Sequence, residues 1–275
     1  MALTLLRRTG LGLMAAALMA LPALADEALE RLARALQVDE VAEVLRREGL
    51  DYGHDLDADM LAGGGGAHFI DRIAAIYDTG RMNRVVRAKL GESMSAQEIA
   101  DCLAYLDTPT GRRIMEFEVA ARRAMSDGTV EQAAKEAYAD AAARELPRIG
   151  LIDRFIEVND LIDHNVAGAL SSNYRFYSGL RDAGGKKMSE GQILDEVWQQ
   201  EEDIRKETIV WMDAFLYMAY GPLTDAELQG YIDFSETAAG QALNRALFVG
   251  FDSLYDLIYY EIGQAVAAEL QATDL

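Results

Sequence analysis

One cysteine, four prolines and three histidines are all that 275 residues hold of the types that most often signal covalent architecture or chemistry. A lone Cys102 cannot build an internal disulfide framework or a cysteine-rich zinc module. Basic residues are also scarce. Lys and Arg number 26 against 46 Asp and Glu, a formal net charge of −20. Such a chain has no charge-based grip on nucleic acid or on anionic lipid. Past the first 25 residues there is no long uncharged run, and the richest stretch, Ile209 to Gly221, is interrupted by Asp213. No transmembrane anchor is therefore expected in the mature chain. The apolar share of 51% is too high for a disordered acidic polymer. A folded, exported, helical protein is what these absences leave.

The N-terminus reads as an address. Arg7 and Arg8 precede an apolar run from Leu11 to Leu21, Pro22 breaks it, and Ala23-Leu24-Ala25 forms a small-x-small cleavage site before Asp26. That is the layout of a secretory signal peptide over residues 1–25. An uncleaved anchor fits less well, because Leu11 to Ala25 is shorter than the roughly 20 residues a spanning helix needs. The Arg pair lacks the bulky follow-on of twin-arginine signals, so general secretion is favoured. No Cys at the cleavage site invites a lipid anchor. Cleavage removes two Arg and no acid, so the mature chain is more acidic still, and a periplasmic or secreted location is expected.

Within the mature chain, apolar residues recur at three and four rather than at two. Ile99, Cys102, Leu103 and Leu106 form one stripe, and Ile114, Phe117, Ala121 and Met125 another. Leu243, Leu247, Phe251, Leu254, Ile258, Ile262 and Val266 sustain a third for about six turns. The dominant residues, Ala, Leu, Glu, Arg and Met, are strong helix formers. An all-α fold is predicted, with Cys102 a buried thiol. Ser95-Ala-Gln-Glu98 and Thr224-Asp-Ala-Glu227 match the capping box, and Ser189–Gln192 and Thr129–Gln132 are weaker versions. Thr108-Pro109 sets a cap residue before Pro at the first helical position, and Pro147 is placed to open a helix in the same way.

The two strong boxes belong to a longer correspondence. A shift of 129 lays Met94–Met125 on Leu223–Leu254 without a gap, matching Glu98 to Glu227, Thr108 to Thr237 and Gly111 to Gly240. A shift of 120 lays Leu36–Val44 on Ile156–His164. Two tandem related helical units are expected, 26–148 and 149–275, packed as a helical bundle or array. In each repeated block a short helix should break at Thr-x-x-Gly and turn back as a hairpin. The glycine leaves room where the first helix ends, so Thr108, Gly111, Thr237 and Gly240 read as architecture.

At Tyr105-Leu-Asp-Thr-Pro-Thr-Gly111, following Ser95-Ala-Gln-Glu98, the chain resembles the bacterial exported proteins grouped as Domain of Unknown Function 2059, in their double-length alphaproteobacterial form. The second copy, Phe234-Ser-Glu-Thr237-Ala-Ala-Gly240, departs from the pattern at Ala238, where that family favours Pro. The resemblance implies an all-helical exported protein and carries no catalytic residues with it.

Chemistry has few candidates. Asp55, Asp57 and Asp59 have the spacing of a calcium loop, but positions six and twelve are Met60 and Gly66 instead of Gly and Glu. Asp57 to Asp59 fits better as the cap of a short helix ending at Gly63–Gly66. No Lys-Ser or Lys-Thr follows those glycines, so they form a link rather than a phosphate cradle. His54, His68 and His164 are never three or four apart, and Cys102 has no evident His partner. Asn159 is expected to be a buried polar group bonded across helices. Carboxylate runs such as Glu201-Glu202-Asp203 read as solvated faces. No catalytic, metal or cofactor residue is assigned. The aromatics, however, are lopsided: Trp198, Trp211 and eight tyrosines from Tyr174 to Tyr260 fall in the second unit. Three functions stay open. The first is a non-catalytic interaction or scaffold module with a protein partner. The second is a carrier of a small apolar ligand in an aromatic-lined groove of the second unit. The third is an enzyme with a dispersed acidic site.

Overall fold

The computed structural model describes residues 26–273, so the export signal expected over residues 1–25 lies outside the described residues. The described chain is all helix, with no strand. Helix α1 covers residues 26–35, followed by α2 (Val38–Met60), α3 (Gly66–Ile76), α4 (Thr79–Ser93), α5 (Ala96–Leu106), α6 (Pro109–Met125) and α7 (Gly128–Ala143). Then come α8 (Pro147–Val158), α9 (Leu161–Asp182), α10 (Glu190–Trp198), α11 (Glu201–Tyr220), α12 (Asp225–Ser235) and α13 (Ala238–Thr273). None of the described helices is long and apolar enough to cross a membrane.

Local chemistry sets most boundaries. Ser95, Ser189 and Thr224 each accept from the third helical N–H while Glu98, Gln192 and Glu227 reach back to the cap N–H. These three are complete capping boxes, so each helix start satisfies two otherwise orphaned donors. Thr129 does not cap α7. Asp127 does, accepting from both the backbone and the hydroxyl of Thr129. Ionised Asp suits the positive end of a helix and displaces the weaker hydroxyl two residues on. Asp57 is likewise not a cap: it lies in the last turn of α2, and its Oδ1 accepts from Gly65 N at 2.8 Å, closing the glycine link from the other side.

The two Thr-x-x-Gly junctions make the same hydrogen bonds. Thr108 donates to Tyr105 O at 2.7 Å and accepts from Gly111 N at 3.0 Å; Thr237 donates to Phe234 O at 2.7 Å and accepts from Gly240 N at 3.0 Å. A Cβ on Gly111 would stand 2.4 Å from Tyr105 O, and one on Gly240 2.2 Å from Phe234 O. Both contacts are with backbone, so neither junction tolerates a side chain.

Helices α1–α6 find counterparts in order in α8–α13, with α7 between the two series. The first half's match runs at a register three residues from the one expected from sequence. Gln37 before α2 and Asp160 before α9 both adopt left-handed backbone, at φ 52 and 49, which sets that correspondence at 123 rather than 120. Arg31 and Arg154 follow the same register. Arg31 pairs with Asp107 at 2.8 Å and Arg154 with Glu236 at 2.6 Å, each tying the first helix of its series to the end of the fifth. The two series also embrace each other. Helix α4 packs on α13 while α11, its counterpart, packs on α6. Tyr105 and Phe234, equivalent in the 129 register, stack on one another at 4.3 Å with planes 4° apart. Self-contact of equivalent residues is what an approximate two-fold relation produces.

A small second cluster gathers Met125, Ala134 and Ala214, while the main hydrophobic core runs through both series, from Leu32 and Phe69 to Ile232 and Val266. Helix α13 is its spine, and its longest contact is with α9. There the backbones interlock: a Cβ on Gly179 would come within 2.0 Å of Tyr260 O, and one on Gly263 within 2.1 Å of Phe176 O. Small residues on both sides allow that approach and the close dispersion contact that comes with it.

Candidate functional site

Of the α13 stripe, Leu243, Leu254, Ile258, Ile262 and Val266 are buried, but Leu247 and Phe251 are only half-buried. They face a groove of about 680 Å³ between α2, α9 and α13. Val41, Leu45, Tyr52 and Tyr77 come from the first series; Leu161, Ala169, Leu247, Phe248, Phe251, Tyr255 and Tyr259 come from the second. The aromatic lining expected in the second unit is therefore shared between both. The reason is physical: an apolar stripe six turns long outruns the single partner that its own unit supplies.

The polar groups on the groove are mostly committed, with Asp252 the exception: burial and the neighbouring Asp256 hold its carboxyl above the ordinary aspartate value. Arg122 from α6 makes a fork-to-fork pair with Glu48, at 2.9 and 2.6 Å, and Ser126 Oγ adds a 3.0 Å donor to the same carboxylate. Arg122 also lies 5.1 Å over the Trp211 ring. Burial works against the Arg122 charge, but the hydrogen bonds and charge of Glu48 together with Tyr255 outweigh it and hold the guanidinium protonated. Asn244 donates to Asn159 O at 2.9 Å, and Asn165 to Leu161 O at 2.7 Å. The bond that crosses helices at Asn159 thus uses its main-chain carbonyl, while its own side chain donates back to Phe155 O at 3.0 Å. Burial raises the phenols of Tyr52, Tyr77, Tyr255 and Tyr259 above the ordinary tyrosine value, so all four are neutral donors.

A smaller cavity of about 210 Å³ continues from the groove, sharing Leu161, Asn244 and Leu247 with it. Its walls are Phe155, Phe215, Tyr220, Tyr231 and Phe234, and one carboxylate, Glu118, faces it. Tyr220 donates its hydroxyl to Glu118 Oε1 at 2.7 Å, and Tyr231 bonds the same carboxyl. Burial pushes Glu118 up to about 7, against the pull of those two phenols. Sequence reasoning missed this residue. The signal was present: Glu118 is four residues after Ile114 and three before Ala121, squarely in an apolar stripe.

The candidates raised from sequence fall elsewhere. His54 and His68 are exposed and far apart in the chain, while His164 stacks on Phe248 at 4.4 Å beside the groove. Cys102 is buried, donates to Ala239 O at 3.3 Å, and is pushed up to about 12 by burial, which makes it a poor nucleophile. Glu201 and Glu202 pair with Arg205 and Lys206 on the α11 surface. Among the described residues no three His, Cys, Asp or Glu side chains are grouped to hold a metal ion. Trp198 and Leu194, one turn apart on α10, are 71% and 52% exposed and lie away from both cavities. No family model, curated protein or solved structure matches the chain.

Proposed function

We propose that this protein is a non-catalytic binding module that carries a small, largely apolar molecule in the groove between its two helix series. The observation that carries the reading is the groove itself. It is walled by Leu45, Leu161, Leu247, Phe248 and Phe251, with four neutral tyrosines in its lining, its one charge pair, Arg122 and Glu48, already closed, and Asp252 the carboxylate left beside them. Concave, mostly apolar sites with a few placed donors are the usual form of small-molecule pockets. Export from the cytoplasm is part of the proposal, on the strength of Arg7 to Ala25, and so is descent of the two series from one duplicated unit. Membership of the exported family that the Tyr105–Gly111 motif resembles is proposed with them. N-terminal sequencing of the purified protein should then begin at Asp26.

Binding of the neutral fluorescent probe N-phenyl-1-naphthylamine tests the groove. The full mature protein should bind it at one site, and Ala169→Trp, which fills the groove, should weaken it at least tenfold with helicity unchanged. Equal binding by both would end the reading. A protein-partner role is favoured by one separate observation, the exposed Leu194 and Trp198 on α10. Sedimentation across a concentration series tests the simplest version: Trp198→Ser should abolish self-association if that face pairs two copies.

A further inference from the structure

The cavity behind the groove has an unusual composition. Five aromatic rings, Phe155, Phe215, Tyr220, Tyr231 and Phe234, surround a single carboxylate. Tyr220 and Phe155 meet edge-on at 5.3 Å, and Tyr231 stands at 89° to Tyr220 at 5.9 Å, so ring faces and edges turn in several directions round the space. Among the described residues, no Lys or Arg pairs with Glu118. Its partners are two neutral phenols. The nearest guanidinium along α6, Arg122, is taken by Glu48, and Arg113 is taken by Glu227 at 2.8 Å. An acidic side chain half-buried among rings in this way is an incomplete pair, because a charge drawn out of water is costly until an opposite charge joins it.

We propose that this cavity binds an alkylated ammonium group, with Glu118 supplying the counter-charge and the surrounding rings their π faces, while the apolar remainder of the ligand lies in the adjoining groove. The proposal rests on the groove being a ligand site and names the chemistry of that ligand. Three features select the class. Aromatic boxes attract cations through their ring quadrupoles, most strongly when water is excluded. The carboxylate adds a negative charge that an adjoining cation would hold ionised and that a neutral apolar ligand would not use. The other polar side chains, Asn159, Ser235 and Asn244, direct their donors to the carbonyls of Phe155, Tyr231 and Asn159. A primary ammonium would bring three N–H donors to a site where Glu118 already accepts two bonds. A fully alkylated nitrogen brings none and leaves nothing unsatisfied.

Calorimetric titration of the full mature protein with choline, and with its neutral carbon isostere 3,3-dimethyl-1-butanol, tests this directly. Choline should bind at one site at least tenfold more tightly than the isostere, and Glu118→Gln should remove that preference while N-phenyl-1-naphthylamine binding in the groove persists. If the isostere binds as well as choline, or if choline does not bind, the proposal is overturned without any variant needing to fold. Probe binding with no ammonium preference discards the ligand class and keeps the groove. Loss of both in the wild-type protein discards the groove as well.

Discussion

Helices α6 and α13 begin identically and end very differently. Each starts from a threonine cap with glycine two residues into the helix and the same hydrogen bonds at the same lengths. Yet α6 stops after 17 residues and α13 runs for 36. The difference lies downstream. Arg122 and Arg123 occupy the last turn of α6, and Ser126-Asp127-Gly128 follows, with Asp127 capping the next helix. In the 129 register the corresponding residues are Tyr255, Asp256 and Leu257, which contain no stop. A helix start is a local instruction, whereas helix length depends on where the next break happens to be encoded. The extra turns of α13 supply Tyr255 and Tyr259, and with them one wall of the groove. One series thus ends as a hairpin, and the matching helix of the other is the spine of the molecule.

The largest test of that equivalence is a side chain at the junction glycines. Gly111→Ala and Gly240→Ala should each destabilise the protein by about 3 kcal/mol or more, since both new methyls meet backbone that cannot move aside. Urea denaturation reads both; a large loss at one and none at the other would break the comparison.

Glu118 sharpens it from the other direction, because the residue facing it in the 129 register is Leu247, which is apolar. Its pKa of about 7 lies above the ordinary glutamate value, so the unfolded chain ionises first as pH rises. Stability should therefore fall between about pH 4.5 and 7 and level off above, with the penalty absent at lower pH where both states are protonated. Glu118→Gln should be about 3 kcal/mol more stable than wild type at pH 8 and show no advantage near pH 4. Thermal melts across that range check the sign, and an advantage that is constant with pH contradicts it.

Caps should behave as twins at a smaller scale. Ser95→Ala and Thr224→Ala should each cost about 1 kcal/mol. The backbone and hydroxyl of each cap hold Glu98 and Glu227 below their usual range, so this support is present above ordinary glutamate pKa values and is lost as pH falls through the lowered ones. Smallest of all are the matched surface pairs. Arg31→Ala and Arg154→Ala should both lie within the error of denaturation curves, because half-exposed ion pairs are well screened.

Most of the local code was readable in the sequence, for a physical reason. Caps, proline starts and glycine junctions act over three or four residues, so Ser95–Glu98, Thr224–Glu227 and Thr108–Gly111 announce themselves. Thr129 failed because two adjacent residue types compete for one role, and Asp127 is the better acceptor. The register of the first helices slipped by three since an apolar pattern of period near 3.6 fits itself again after one turn, and only the left-handed Gln37 and Asp160 break the tie. The groove was out of reach. The six-turn stripe announces a long α13, but the groove's walls come from residues as distant as Val41 and Tyr259, and no pattern along the chain records which part of that stripe its partners leave uncovered. Glu118 was visible only as an acid in an apolar stripe, a feature that becomes informative once the rings around it are known.

Native mass spectrometry of the gently purified protein asks whether the groove holds a ligand. A one-to-one complex with a small molecule should survive mild activation and disappear in Ala169→Trp. A wild-type spectrum holding only the empty chain, from protein that also fails to take up an apolar probe, would contradict the carrier reading.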